Sequence, residues 1–308
     1  MQTQRLTKDY GPVLALDTLD LDIGPGITGL VGANGAGKST LLKILLGLVP
    51  ATGGRARVLG HDIASQGPAI RAAVGYLPEH DCLPPDVSAS DFVVHMAMMS
   101  GLPKVAARER AAEVLRHVGL AEERYRPMGG YSTGMKQRAK LAQALVHDPR
   151  LVFLDEPTNG LDPAARTDML RLVQRIGSDF GIAALVTSHL LGELELVSDH
   201  VIVLDGGHLL RSSATGEFLQ RTGSLLVEVV GTETERDRLG EALAQRGLTC
   251  RPRGSMVAID PPPPELAEGA AVHDLIRDVA ADLGLGLMRL QPDRHHLEDV
   301  FLEGGTRV

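Results

Sequence analysis

Residues 32–39 read Gly32-Ala33-Asn34-Gly35-Ala36-Gly37-Lys38-Ser39, and this G-x-x-x-x-G-K-S pattern constrains the chain more than any other stretch. Ile27-Thr28-Gly29-Leu30-Val31 precedes it and reads as a short buried strand. Thr40-Leu41-Leu42-Lys43-Ile44-Leu45-Leu46 follows and, apolar nearly all round, reads as a buried helix. A glycine-rich turn between strand and helix lets successive N–H groups curl inward around phosphate oxygens. The helix adds its positive N-terminal end. Lys38 then brings a full positive charge to β- and γ-phosphates, and the Ser39 hydroxyl offers an oxygen to Mg2+.

A second pattern is Leu151-Val152-Phe153-Leu154-Asp155-Glu156, an apolar strand ending in two adjacent carboxylates. Two charges at the rim of a core cost stability. At the carboxyl end of a parallel strand they make sense as a metal and water site. Strand alternation predicts opposite faces for the two, with Asp155 toward Mg2+ and Glu156 toward an attacking water as general base. Buried strands are also expected at residues 183–187 and 201–204. Helical sequence lies between 154 and 183, and strands separated by helices pair in parallel. Asp205-Gly206-Gly207 predicts a hairpin into an edge strand from His208.

Leu19, Leu21 and Ile23 alternate with Asp20 and Asp22, as in a half-buried antiparallel strand. Ala111, Val114, Leu115 and Val118 recur at helical spacing, as do Met135, Ala139, Ala142 and Val146, so residues 84–147 are expected to be helical. From about Thr222 the style changes. A strand at 225–230 leads to a capping box, Thr232 with Glu235, and a helix. A hairpin across Gly254, a loop at Pro261-Pro262-Pro263-Pro264, a second helix and a last strand at 285–290 follow. The order β-α-β-β-α-β predicts a small ferredoxin-like α+β domain at 221–308, after a larger domain at 1–220.

Composition narrows the function classes. The 308 residues carry 31 Lys+Arg against 39 Asp+Glu, a net charge of −8, with aromatics at 3% and no Trp. Neither a basic field nor a stacking surface for bases is present, so no nucleic-acid partner is expected. Cys82 and Cys250 are far apart, which excludes a disulfide framework and fits a reducing cytosol. No apolar run approaches the roughly 18 residues of a spanning helix, and the opening residues lack a signal-peptide core. A soluble chain that reaches a membrane only through a partner is expected. Glu79-His80-Asp81-Cys82 places four potential ligands in a row, but extended neighbours point apart rather than converging on one ion.

Between the two phosphate-related motifs, Tyr131-Ser132-Thr133-Gly134-Met135 opens a helix. With it, residues 1–220 resemble the nucleotide-binding subunits of ABC transporters, in the drug- and antibiotic-exporter-like branch, in motif order as well as content. The resemblance implies an α/β fold: a P-loop NTPase core with an antiparallel β subdomain and a helical subdomain. It also implies a Mg-dependent ATPase with ATP and Mg2+ as cofactors. Tyr10 matches the aromatic residue that stacks on adenine. Gly32, Asn34, Gly35, Ala36, Gly37, Lys38, Ser39 and Thr40 match the phosphate loop. Ser132 and Gly134 match the signature residues at the γ-phosphate, and Asp162, in Asn159-Gly160-Leu161-Asp162, the loop that crosses to the opposite subunit. His189 matches the switch histidine. The implied metal contacts are Ser39, Asp155 and Glu79, and the implied catalytic groups Glu156, His189 and Lys38.

Two departures stand out. Thr133 and Met135 replace a glycine and a glutamine of the signature, and Glu79 stands where the family has a glutamine, adding negative charge beside Asp155 and Glu156. In the family, two chains meet head-to-tail with each ATP between one phosphate loop and the other signature helix. The resemblance therefore implies a homodimer or a pair with a similar subunit, a separate transmembrane permease, and a place on the inner face of the cell membrane. Residues after 220 hold no catalytic constellation and read as a dimerisation brace or a regulatory module. Leu297-Glu298-Asp299-Val300-Phe301-Leu302-Glu303 resembles a tail common in drug-exporter-like subunits. A chromosome- or repair-type relative would carry coiled coils between Lys38 and Asp155, where no sustained heptads run. A translation-type relative would carry two tandem phosphate loops, and a non-hydrolysing regulatory binder would have no need of Asp155, Glu156 and His189 together.

Overall fold

The computed structural model describes residues 1–215, 221–260 and 269–294. The chain divides into two units, Met1–Thr215 and Gly216–Val308. Along the first unit run β1 (Gln2–Asp9), β2 (Leu14–Asp22), β3 (Ile27–Val31), α1 (Lys38–Leu45), β4 (Gly53–Val58), β5 (His61–Asp62), α2 (Gly67–Ala73) and β6 (Val74–Leu77). Then come the helices α3 (Ala89–Met99), α4 (Lys104–His117) and α5 (Thr133–Leu145). The unit closes with β7 (Leu151–Asp155), α6 (Pro163–Ser178), β8 (Ala183–Ser188), α7 (Leu191–Val197), β9 (His200–Asp205) and β10 (His208–Ala214).

An antiparallel sheet has the order β2-β1-β4-β5, and the central sheet runs β10-β9-β3-β8-β7-β6. The strands expected to be parallel are so, with β7 beside β8, β3 between β8 and β9, and β6 on the far side of β7. Only β10, entered through the Asp205-Gly206-Gly207 turn, pairs antiparallel, with β9. Parallel strands all discharge their chains at one edge. Val31 lies opposite Ser188, Asp155 opposite Thr187, and Leu77 opposite Leu154. The loops after β3, β8, β7 and β6 therefore stand side by side, and they carry Lys38, His189, Glu156 and Glu79.

Apolar packing fixes this edge. β7 is buried at every position, and Phe153 is wholly enclosed. Leu41, Leu42, Ile44 and Leu45 of α1 join Leu6, Leu16, Leu19 and Leu30 in one core, each contributing about 1.5–3 kcal/mol relative to exposure. Two glycines make the phosphate loop possible. Gly37 has φ +100, and a Cβ there would stand 2.5 Å from the Ala15 carbonyl oxygen. A Cβ on Gly32 would stand 2.5 Å from the Leu204 carbonyl oxygen of β9.

The second unit contains β11 (Arg221–Val230), α8 (Glu233–Gln245), β12 (Cys250–Arg253), β13 (Met256–Ile259), α9 (Gly269–Asp282) and β14 (Gly286–Arg294). Its sheet order is β12-β13-β11-β14, antiparallel throughout, which is the ferredoxin-like arrangement. The Thr232 N–H donates to Glu235 Oε2 at 2.7 Å, the expected cap of α8. Val227, Val229, Leu239, Leu243, Ile259 and Ile276 form the centre of its core. The last strand runs to Arg294, beyond the expected end at 290. The Pro261-Pro262-Pro263-Pro264 loop and the tail from Leu297 to Glu303 lie outside the described residues.

Candidate active site

Lys38 opens α1 and is 6% exposed. Its Nζ donates to the Gly32 carbonyl at 2.7 Å and the Ala33 carbonyl at 3.3 Å, and lies 3.5 Å from Glu156 Oε1. The other carboxylate oxygen of Glu156 is 2.8 Å from His189 Nδ1. Beside this chain of contacts, Ser39 Oγ donates to Asp155 Oδ1 at 3.3 Å. Thr187 Oγ1 donates to the same oxygen at 2.8 Å and accepts the Glu156 N–H at 2.8 Å. Tyr76 OH lies 3.5 Å from Asp155 Oδ2, and burial together with that carboxylate pushes its phenol pKa well up.

The geometry corrects one expectation. Glu156 does not face away from Asp155 by strand alternation, because β7 ends at Asp155. Glu156 has φ +49, a left-handed conformation that costs a non-glycine residue about 1–3 kcal/mol and persists where surrounding contacts enforce it. Here the Thr187 hydroxyl, Lys38 and His189 do so. The turn, not the pleat, aims its carboxylate between Lys38 and His189.

Lys38, Ser39 and Glu156 border a cleft of about 470 Å3 lined also by Tyr10, the rest of residues 33–40 and Glu79, whereas Asp155 and His189 are not among its lining residues. Tyr10 is 50% exposed, with Lys8 Nζ 4.7 Å from its ring centroid. A larger hollow of about 660 Å3 around Met1, Arg57, Asp148 and Phe180 gathers none of the motif residues. Glu79 Oε1 accepts from Asn159 Nδ2 at 3.4 Å. The backbone around Glu79 is gripped by Lys140 of α5, which donates to the carbonyls of Pro78, Glu79 and His80 at 2.8, 3.1 and 3.3 Å. Burial pulls the Lys140 ammonium pKa down. Lys136, one turn earlier, meets Asp81 Oδ2 at 2.9 Å and holds that carboxyl below its ordinary range.

Ser132, Gly134 and Asp162 are not among the residues lining this cleft. Ser132 caps α5, its Oγ accepting from Met135 N at 3.3 Å, and Asp162 caps α6, accepting from Ala165 N at 2.9 Å. The two helix starts neighbour each other, since a Cβ on Gly134 would be 3.5 Å from Ala165 Cβ. Sequence reasoning missed a buried junction behind them. Glu193 Oε2 accepts from Thr158 Oγ1 at 2.6 Å and Ser188 Oγ at 3.1 Å. Glu193 Oε1 lies 3.1 Å from Arg166 Nε, an ion pair not aligned as a hydrogen bond. It also missed Thr187, Tyr76 and Lys140. Only Lys140 carried a signal, a cation set between Ala139 and Leu141 and four residues after Lys136.

Comparison with known proteins agrees with this geometry. The ABC transporter family pattern matches residues 16–159. The chain is 36% identical to the daunorubicin/doxorubicin resistance ATP-binding protein DrrA of Streptomyces peucetius, across 73% of this chain and 68% of that protein. It is 34% identical to the Nod factor export ATP-binding protein I of Cupriavidus metallidurans, across 98% of this chain and 96% of that protein. Among solved structures, cbiO1 of Clostridium perfringens, part of the ABC transporter complex cbiONQ, superposes with a TM-score of 0.65 at 26% identity, covering 70% of this chain and 88% of that one. The matched residues 16–159 include Lys38 and Glu156, and the chain belongs to the ABC transporter family as one of its ATP-binding, ATP-hydrolysing members.

Proposed function

We propose that this chain is the ATPase subunit of an exporter in the drug-exporter branch, driving transport through a separate membrane permease on whose cytoplasmic side it works. The observation that carries the reading is the run Lys38–Glu156–His189 at one sheet edge, in a chain matched end to end by a Nod factor export ATP-binding protein. Among the described residues no helix is long and apolar enough to cross a membrane, which accords with a permease on another polypeptide.

Phosphate oxygens take over the contacts Lys38 makes with Gly32 and Ala33, because a charged acceptor binds an ammonium more strongly than a neutral carbonyl. The phosphate-loop N–H groups and the N-terminus of α1 bind the rest of the chain of phosphates, and Tyr10 supports the adenine. Glu156 takes the proton of the attacking water, with His189 orienting Oε2 and Thr187 holding the backbone. Ser39 Oγ, Asp155 Oδ1 and the Glu79 carboxylate form an all-oxygen set. Among the described residues no group of three or more His, Cys, Asp or Glu forms a cage by itself. Ser39, Asp155 and Glu79 would hold Mg2+, an ion suited to oxygen ligands, and it would supply neutralisation of β- and γ-phosphate charge.

Ser132, Gly134 and Asp162 act from a second copy, closing over the γ-phosphate with the N-terminus of its α5. Their position on helix starts away from the cleft of their own chain supports this. The unit after Thr215 serves dimerisation or regulation. The test is phosphate release by the purified full-length chain in the presence of Mg2+. Glu156→Gln is expected to retain ATP binding while losing at least about a hundredfold in kcat. Turnover unaffected by that change would remove Glu156 as the base.

A further inference from the structure

Lys140 differs from the other buried cation of this region. Lys38 faces a carboxylate at 3.5 Å. Lys140 is 3% exposed, and among the described residues it pairs with no carboxylate. Its three ammonium protons go to three successive backbone carbonyls, those of Pro78, Glu79 and His80. Lys136, four residues earlier on the same helix face, holds Asp81, so α5 grips the segment twice. An apolar side chain would fill that space without the desolvation penalty of a buried charge. The gripped segment is also the one where Glu79 replaces the family's glutamine and lines the cleft with Glu156.

We propose that Lys140 is a positioning residue for ATP hydrolysis: its ammonium fixes the backbone of residues 78–80 to the signature helix and offsets the negative charge that Glu79 adds to a cleft already lined by Glu156. The inference rests on the hydrolysis reading above. It means that the helix opened by Ser132 and the loop carrying Glu79 shift as one piece. A carboxylate at that loop position is tolerated because a buried cation accompanies it.

A double-mutant cycle on the full-length chain tests this, with kcat and KM for ATP measured separately. Lys140→Met is expected to lower kcat about tenfold while KM changes less than about threefold, since the phosphate loop is untouched. In the Glu79→Gln background the same change is expected to cost less than about threefold, because the charge it offset is gone. Lys140→Arg, which keeps the charge, is expected to exceed Lys140→Met by at least about threefold in kcat. Losses that multiply independently, wild-type kcat in Lys140→Met, or equal rates for the Arg and Met variants would each overturn the proposal. If Lys140→Met does not fold, Lys140→Gln enters the same cycle with the same expected coupling. Phosphate release by the unaltered chain is the control. An inert unaltered chain overturns the hydrolysis reading and this inference with it, whereas an active chain with independent losses overturns this inference alone.

Discussion

Inside Met1–Thr215, Lys38, Lys140, Asp155, Glu156, Thr187 and Glu193 are buried beside the apolar core, whereas the buried side chains among the described residues of Gly216–Val308 are all apolar. Both units are built on a sheet covered by helices, so architecture does not explain the difference. A buried charge without partners costs several kcal/mol, and even a well-paired one rarely beats an apolar replacement. The first unit links Lys38 to Glu156 and Thr187 to both Asp155 and Glu156 along one sheet edge, where the chemistry is, and gives Lys140 and Glu193 polar partners of their own. The second unit spends its interior on cohesion alone.

That contrast can be broken by experiment. The largest effect is expected for Lys38→Ala, which should reduce ATP turnover by about a thousandfold or more by removing the only phosphate-directed cation of the loop. An active variant would dissolve the distinction between the units. In the second unit, Ile259→Ala empties a fully buried position and should cost about 2–5 kcal/mol of stability in a denaturant titration. The ATPase rate of the remaining folded protein should stay near that of the unaltered chain, and a matched loss of kcat would show that the second unit takes part in chemistry. Thr187→Val leaves the Glu156 N–H without its acceptor and Asp155 Oδ1 with the Ser39 hydroxyl in place of two donors, a penalty of about 1–3 kcal/mol. It should appear mainly as slower turnover, and an unchanged kcat would demote the hydroxyl to packing.

The smallest effect concerns pH. His147 is held below its ordinary pKa by burial and lies 3.2 Å from the Val74 carbonyl through Nε2. With the folded value below the unfolded one, the unfolded chain takes up the proton first on acidification. Stability present at neutral pH is therefore lost as the pH falls through and below the ordinary histidine range. His147→Gln should flatten that part of the melting-temperature profile.

Much of the first unit was legible. The phosphate loop, the paired carboxylates and the parallel strands all announce themselves through local pattern. β1 did not, and the reason is specific. Thr3 and Leu6 both point inward though three residues apart, because Arg5 has φ +47 and the pairing with β2 slips between them, which erases the period of two. Thr187, Tyr76 and Glu193 were invisible for another reason. Each becomes functional only through register, as when Asp155 comes opposite Thr187 across β7 and β8. No local pattern encodes a neighbour that arrives from a different strand. Ser132 and Asp162 were legible as residue types, while their service as helix caps emerged only from the structure.

The left-handed turn at Glu156 has a consequence for anyone engineering this chain. Glycine would occupy that φ without strain, but it would strip the buried Lys38 of the carboxylate 3.5 Å away, a loss of about 3–5 kcal/mol that outweighs the strain relieved. Selection for heat tolerance therefore has no single step to Glu156→Gly, and the awkward turn is protected by the very pairing it creates.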